Sequence, residues 1–551
     1  MKRAFRMGAF FIFGELMTTP FLERIYKQYA DKDLSCYCFV FPTRRAGYIF
    51  RQQFIKHQNK ATWLPEILGI RDFILKIHPV PVADDVILLL KLYNILRSHG
   101  MQESLEKFLP WGKIILNDFN EIDQNLVNAH QLYQQSYEER QIDQAFSLSP
   151  EEMQEVAGFW KLFATMPLST LLENFLASWK LLPQVYNQFN DLLKEEQITY
   201  EGRAYRETAF AISEKNCSLP WKKIVFCGFY ALSNSEQKIF ESLKEQGLAE
   251  IFWDSDSFYF ENAAHEAGLY LRRNPLLKDN FTWNEAYFKS IEKDIYITGV
   301  PLRTGQVKWM AQVLLDKLKD PNFNPQKSVI VLPDENMLTA LLYSLPEELQ
   351  AVNVTMGYPA KNSIAASLIN SFIELHLQSV SDKTGTLLVR KLIKDLLNRI
   401  SSTSDTNLHL FLNADIYPLI PIEKIVAAAE PNGYLFSEIK SINQIQLSLQ
   451  KLLLQYRNKL KPEHGVELAV CNHVLEELKH FFELISPVEG ELSPVIVLNM
   501  LSEHLNTLKV PFTGEPVQGI QVMGFLETRT LDFENVFILS VNETLLPAKS
   551  S

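Results

Sequence analysis

The chain has 551 residues, 47% of them hydrophobic and 22% charged, enough to bury the cores of roughly three to four domains. Five cysteines, an odd and sparse set, exclude a disulfide framework and fit a reducing, cytoplasmic setting. A net charge of −11 argues against a protein coated in nucleic acid without excluding a local basic groove, and no run approaches the ~18 uninterrupted apolar residues of a membrane span.

The start, MKRAFRMGAFFIF, is basic and then apolar. Its apolar run is short and Gly14-Glu15 follows with no small-residue cleavage site, so it reads as a first buried strand behind an over-extended start, and not as a secretion signal. Up to about residue 75, short apolar runs alternate with amphipathic helices (Thr19 to Tyr29, Ala46 to His57), the rhythm of a parallel sheet. Cys36 and Cys38 lie in one such run, Ser35 to Phe41, and read as buried structural thiols; no Cys-His pair nearby completes a zinc site. From about 80 to 208 the strand signal fades into helices such as DDVILLLKLYNILRSHG and EEMQEVAGFWKLFATM. Strands return in KKIVFCGF and AEIFWDSD, then in DIYITGV and SVIVLPDE. Residues of about 365 to 510 are again helical, with a polar loop at SSTSDTN, and GIQVMGFLE and FENVFILSVNE close the pattern. The expected division is a first core over 1–78 and 209–290, a helical insertion over 79–208, a second core over 291–365 and 514–551, and a second insertion over 366–513.

Two α/β cores, each interrupted by an all-α insertion, match the layout of a superfamily 1 helicase. The expected fold class is therefore α/β with two RecA-like, P-loop-derived but degenerate cores. A Walker A loop needs Gly-rich amides and a Lys for phosphates. The equivalent stretch, FGELMTTPFLERIYKQYA, has neither a second Gly nor a Lys between Gly14 and Phe21, and Gly112-Lys113 lacks the rest of the pattern. At the Walker B strand end, Cys227-Gly228-Phe229 stands where paired carboxylates should hold Mg²⁺, and Glu236 falls on the next helix, where a solvated position is expected. CFVFPTRRAGYIFRQQF looks like the second helicase motif, and there Thr43, Arg44 and Arg45 are either phosphate contacts at a strand exit or a solvated, charged helix start. Asp254 and Asp256, after Trp253, are an acidic pair for a metal or, the favoured reading, a hydrogen-bonded turn. Most aromatics at strand or helix spacing are core, Phe39, Phe41 and Tyr48 among them. Tyr358, in the turn TMGYPAKN, is the one expected to be exposed, as a base-stacking residue or as part of a turn fixed by Gly357 and Pro359.

The strings PWGKIILNDFNEIDQNLVNAHQLY, FCGFYALSNSEQKIFESL, FWDSDSFYFENAAHEAGLYLRRN, VIVLPDENMLTALLYSLPEELQAVNVTMGYPAKNS and IQVMGFLETRTLDFENVFILSVNETLLP resemble the AddB-like proteins of Bacteroidetes-type bacteria, often labelled PD-(D/E)XK nuclease family. The resemblance runs in order over nearly the whole chain. In the last string Leu531, Asp532 and Phe533 stand at a helicase Gly-Leu-Glu-Phe turn, with Thr528 and Arg529 as backbone contacts to DNA. The resemblance implies an AddA-like helicase-nuclease partner, single-stranded or end-containing DNA as the nucleic acid, and a role in double-strand-break end processing and recombinational repair. It also implies a C-terminal nuclease domain with Mg²⁺ and an iron–sulfur cluster. The chain stops at LLPAKSS, so the sequence reads as truncated before that domain, with no cofactor or catalytic residue expected here and the isolated sheet edge expected to lower solubility.

A bare PD…ExK string exists in Pro333-Asp334 and Glu438-Ile439-Lys440, but Glu438 lies in FSEIKSINQIQLSLQKLLLQY, which reads as a helix, and the match reads as chance. The 11 His show no metal spacing. Three functions follow: a non-catalytic scaffold guiding single strands; a structural module that only docks the motor partner, favoured somewhat by the acidic charge; and an active ATPase, which the missing Lys and acidic pair disfavour.

Overall fold

The computed structural model describes residues 8–13, 19–57, 63–134, 168–277, 287–349, 351–382, 385–400, 418–429, 432–486, 490, 492–512, 519–542 and 545–546. The phosphate-loop equivalent at 14–18, the helix expected at 151–166 and the polar loop at 401–407 lie outside the described residues. The chain forms an α/β protein with two compact units. One comprises Met17–Glu292 with Arg529–Asp532; the other comprises Met1–Leu16, Lys293–Thr528 and Phe533–Ser551.

The first unit is built on a parallel sheet in the order β3-β2-β4-β5, where β2 is Tyr37–Phe41, β3 Glu66–Gly69, β4 Lys223–Phe229 and β5 Ala249–Trp253. The strands read as unbroken apolar runs because helices cover both faces. Successive side chains point to opposite sides, so Phe39, Phe41, Val225 and Cys227 pack with Phe21, Ile25 and Tyr29 of α1 (Phe21–Tyr29) and Phe50 and Phe54 of α2 (Arg44–His57). Cys38, Val40, Ile224 and Phe226 enter the opposite core with Phe73 of α3 (Ile70–Ile77). Cys38 is fully buried, and burial pushes its thiol up and keeps it inert; Cys36 is half-exposed.

Between α3 and β4 the described residues form the helices α4 (Asp85–Ser98), α5 (Leu105–Gln124), α6 (Leu168–Glu195) and α7 (Glu201–Ser213). A buried carboxylate ties three of them together. Asp123 of α5 accepts from the hydroxyls of Tyr186 in α6 and Tyr200 beside α7, and pairs with Arg206 of α7 at 2.6 Å. After β4, α8 (Asn234–Glu245) begins with a capping box in which Ser233 and Glu236 bond each other's backbone N–H groups. Glu236 is thus a half-buried cap, and the expectation of a solvated side chain is corrected.

The second unit has a six-stranded sheet, β6-β1-β15-β7-β14-β8. Its parallel part comprises β15 (Asn535–Ile538), β7 (Ser328–Val331), β14 (Ile520–Met523) and β8 (Val352–Val354). Strand β1 (Gly8–Phe13) forms as expected but not at the head of the first sheet. It pairs antiparallel with β15 and with β6 (Asp294–Gly299), because a short apolar strand carries no local mark of which sheet edge it will meet. The insertion of this unit is not purely helical either. Beside the helices Ile364–Leu377, Arg390–Ile400, Ile442–Arg457, Gly465–Ile485 and Pro494–Thr507, it holds a three-stranded antiparallel sheet of β10 (Val380–Asp382), β11 (Gly385–Val389) and β12 (Leu419–Pro421). Strands this short give too few residues for a period of two to show. Among the described residues no helix is long and apolar enough to cross a membrane.

Candidate functional site

Parallel α/β sheets place their ligands at the carboxyl ends of the strands. In the first unit those ends carry Thr43 to Arg45 after β2, Gly69 as the last residue of β3, Gly228 within the end of β4, and Asp254 after β5. A helix N-terminus, whose first N–H groups have no partner within the helix, is a natural place for an anion in such a fold, and α1 begins beside these strand ends.

An anion from the chain itself is there. The backbone N–H of Phe21 donates to Oδ2 of Asp532 at 2.9 Å. The neighbouring Leu531 packs against the aromatic core of α1 and α2. Thr530, buried and with a φ of 64°, comes so close to Gly228 that a Cβ there would run into its Cγ2. Gly228 itself has a φ of 73°. A lone glycine inside an otherwise apolar strand is the mark of such a close approach. The carboxyl end of β4 thus carries a glycine that makes room for residue 530.

Asp254 and Asp532 act on one another. Desolvation pushes the Asp254 carboxyl up to about 7, the Asp532 charge adds to this and Arg24 of α1 opposes it. Desolvation also raises Asp532, although the side chain keeps an exposed surface and solvent screens the effect. Asp256 plays a different part. It caps the short helix α9 (Ser257–Glu261) through Phe258 N–H, so the Asp-x-Asp pair is a hydrogen-bonded turn on one side and a half-buried acid on the other.

Of the residues singled out from sequence, Thr43 accepts from the Ala46 N–H at 3.3 Å and starts α2. Arg44 is exposed, and its guanidinium is held by both carboxylate oxygens of Asp72 in α3, with Nε to Oδ2 at 2.6 Å. Arg45 is half-buried. Arg529 is exposed in the first unit, whereas Thr528 belongs to the second and donates its hydroxyl to Phe525 O at 2.8 Å. Tyr358 is 5% exposed, and its expected exposure is corrected. It sits in strand β9 (Tyr358–Pro359), opposite Val510 of β13 (Lys509–Val510), and its hydroxyl donates to Asn362 O at 3.4 Å. The polar residues around it signalled a surface turn, and a partner strand some 150 positions away in sequence closed it over.

The PD…ExK string separates in space into two local arrangements. Asp334 is buried against Arg303 at 2.8 Å. Glu438 lies in a loop before the helix Ile442–Arg457, not in a helix, pairing with Lys440 at 3.3 Å and accepting from Thr386 Oγ1 at 3.1 Å. Among the described residues no group of three His, Cys, Asp or Glu is disposed to hold a metal ion.

No family model matches the chain, and neither does any curated protein.

Proposed function

We propose that the chain is a non-catalytic, helicase-like scaffold of the AddB type, its two α/β units being degenerate RecA-like cores. In this reading it works in the cytoplasm beside an AddA-like helicase-nuclease subunit and guides single-stranded DNA during the processing of double-strand breaks. The observation that carries the reading is the occupied crevice: Asp532 rests on the N-terminus of α1, and Thr530 fills the space at Gly228. A site that must take nucleotide phosphates has no use for a carboxylate of its own at that N–H group. The missing Lys and the missing acidic pair support the same conclusion from the sequence side.

The test is fluorescence anisotropy with single-stranded DNA at low and physiological salt, with and without ATP. Binding that weakens steeply with salt and ignores ATP supports a guiding scaffold. ATP-dependent binding, or ATP turnover, refutes it.

A second reading, a module that docks the motor subunit without touching DNA, has its own supporting observation. Ile295, Tyr296 and Ile297 of β6 are 53%, 53% and 62% exposed in succession, an apolar strand suited to a protein partner. No DNA binding at low salt, together with capture of the partner subunit, favours that reading.

A further inference from the structure

A five-residue helix with three aromatic residues ordinarily turns at least one of them into a core. Helix α9, Ser-Phe-Tyr-Phe-Glu, has no buried residue. Phe260 lies partly buried against the core of the first sheet, whereas Phe258 and Tyr259 gather with a later segment, α11 (Tyr287–Ser290), which follows α10 (Leu269–Arg273). Phe258 stacks on Phe288 with centroids 4.5 Å apart and planes 22° apart. Tyr259 leans on the same Phe288 ring at 5.2 Å and on His265 at 4.9 Å. Lys289 lies with its ammonium 5.4 Å from the Phe258 centroid. Phe288 remains 44% exposed, so one member of the stack still offers surface to solvent.

The cluster is held from below. Both oxygens of Asp256 are used: Oδ1 accepts from Phe258 N–H at 2.8 Å and Oδ2 from Phe288 N–H at 2.9 Å, so a single carboxylate sets the two ring-bearing backbones side by side. Arg272 of α10 clamps the intervening loop, donating to Tyr259 O at 2.6 Å and to His265 O at 2.7 Å. Rings fixed in this way lose little conformational entropy when something stacks on them.

We propose that Phe258, Tyr259 and Phe288, with Lys289 at their side, form a stacking platform for the bases of single-stranded nucleic acid. The inference rests on the single-strand-guiding reading above. The set is made of flat rings with one cation and no aliphatic side chain, which suits a base and its phosphate better than the branched side chains of a peptide helix. Glu261 and Glu266 are exposed in the same stretch, so stacking, more than net charge, supplies the affinity.

The experiment uses the full chain and oligonucleotides carrying 2-aminopurine, whose fluorescence is quenched when the base stacks. The wild type should bind and quench. Phe288→Ala and Phe288→Leu should each weaken binding by about tenfold and remove most of the quenching, since leucine keeps bulk but not a flat face. Thermal melting of Phe288→Leu close to wild type shows that the loss is not one of fold. Wild-type binding with quenching that both variants retain overturns the platform, leaves the guiding reading standing and hands this face to a peptide partner. No wild-type binding at low salt overturns the guiding reading itself, and the platform with it.

Discussion

The carboxylate of Asp532 accepts a hydrogen bond from the backbone N–H of Phe21 across 511 residues of sequence. It does for helix α1 what a side-chain cap does, in a helix whose own N-cap, Pro20, has no side-chain acceptor. Asp532→Ala should therefore destabilise the first unit by about 1–2 kcal/mol, read as a lower midpoint in urea unfolding followed by aromatic fluorescence. An unchanged midpoint would mean that the contact contributes nothing.

Gly228 tests the same crevice by volume. Gly228→Ala meets two obstacles, a φ of 73° and the Cγ2 of Thr530, and should cost more than about 2 kcal/mol. Thr530→Gly removes the obstructing side chain and suits the φ of 64° at that position. The double variant should recover the steric part of the loss but not the part owed to backbone strain. Strict additivity in the double-mutant cycle would show that residues 228 and 530 do not touch.

Asp254 has a folded pKa of about 7, above its ordinary value of 3.8. The folded state holds a proton there that the unfolded chain gives up. Its stability contribution is thus fully present below pH 3.8 and is lost as pH rises through 7. Solvent contact at the half-buried side chain limits the loss to roughly 1–2 kcal/mol by pH 8. Asp254→Asn should be more stable than wild type at pH 8 and should flatten this part of the profile; a variant with the wild-type slope between pH 5 and 8 refutes the assignment.

His376 sets an opposite dependence in the second unit. It is buried, and its Nε2–H donates to Leu435 O at 2.9 Å. Burial lowers its pKa to about 4 from 6.5, with the Leu435 hydrogen bond opposing the shift. The unfolded chain binds the proton first, so stability is full above pH 6.5 and falls by about 3 kcal/mol as pH drops to 4. Replacement by Asn should remove that acid-side slope in pH-dependent urea unfolding. Hydrogen exchange on the second unit alone separates it from the response of Asp254.

Arg44 bears on the DNA reading directly. Its guanidinium is engaged by Asp72, and that ion pair holds the Asp72 carboxyl below its ordinary range. A phosphate must compete with that carboxylate. Asp72→Asn should tighten binding of single-stranded DNA severalfold and steepen the logarithmic salt dependence by up to about 0.7, the increment for one phosphate contact on a single strand. Arg44→Ala alone should change binding little. The reverse ranking would show that Arg44 meets DNA while still paired to Asp72.

The sequence by itself determined the elements whose causes are local. The apolar runs YCFVF and KIVFCGF became buried parallel strands because both their faces lie under helices. Ser233 and Glu236, three apart, started α8, and Asp256 formed its turn with the next residues. Tertiary structure decided what depends on distant partners. It placed β1 in the sheet of the second unit, closed β13 over Tyr358, and laid Asp532 on Phe21 and Thr530 against Gly228. The glycine in KIVFCGF announced that something approaches it, but nothing in the neighbouring residues names Thr530. Capping and periodicity act within a few residues and leave a trace in the string of letters. A contact across 511 residues is selected by the packing of whole layers, and only the folded chain shows which carboxylate arrives.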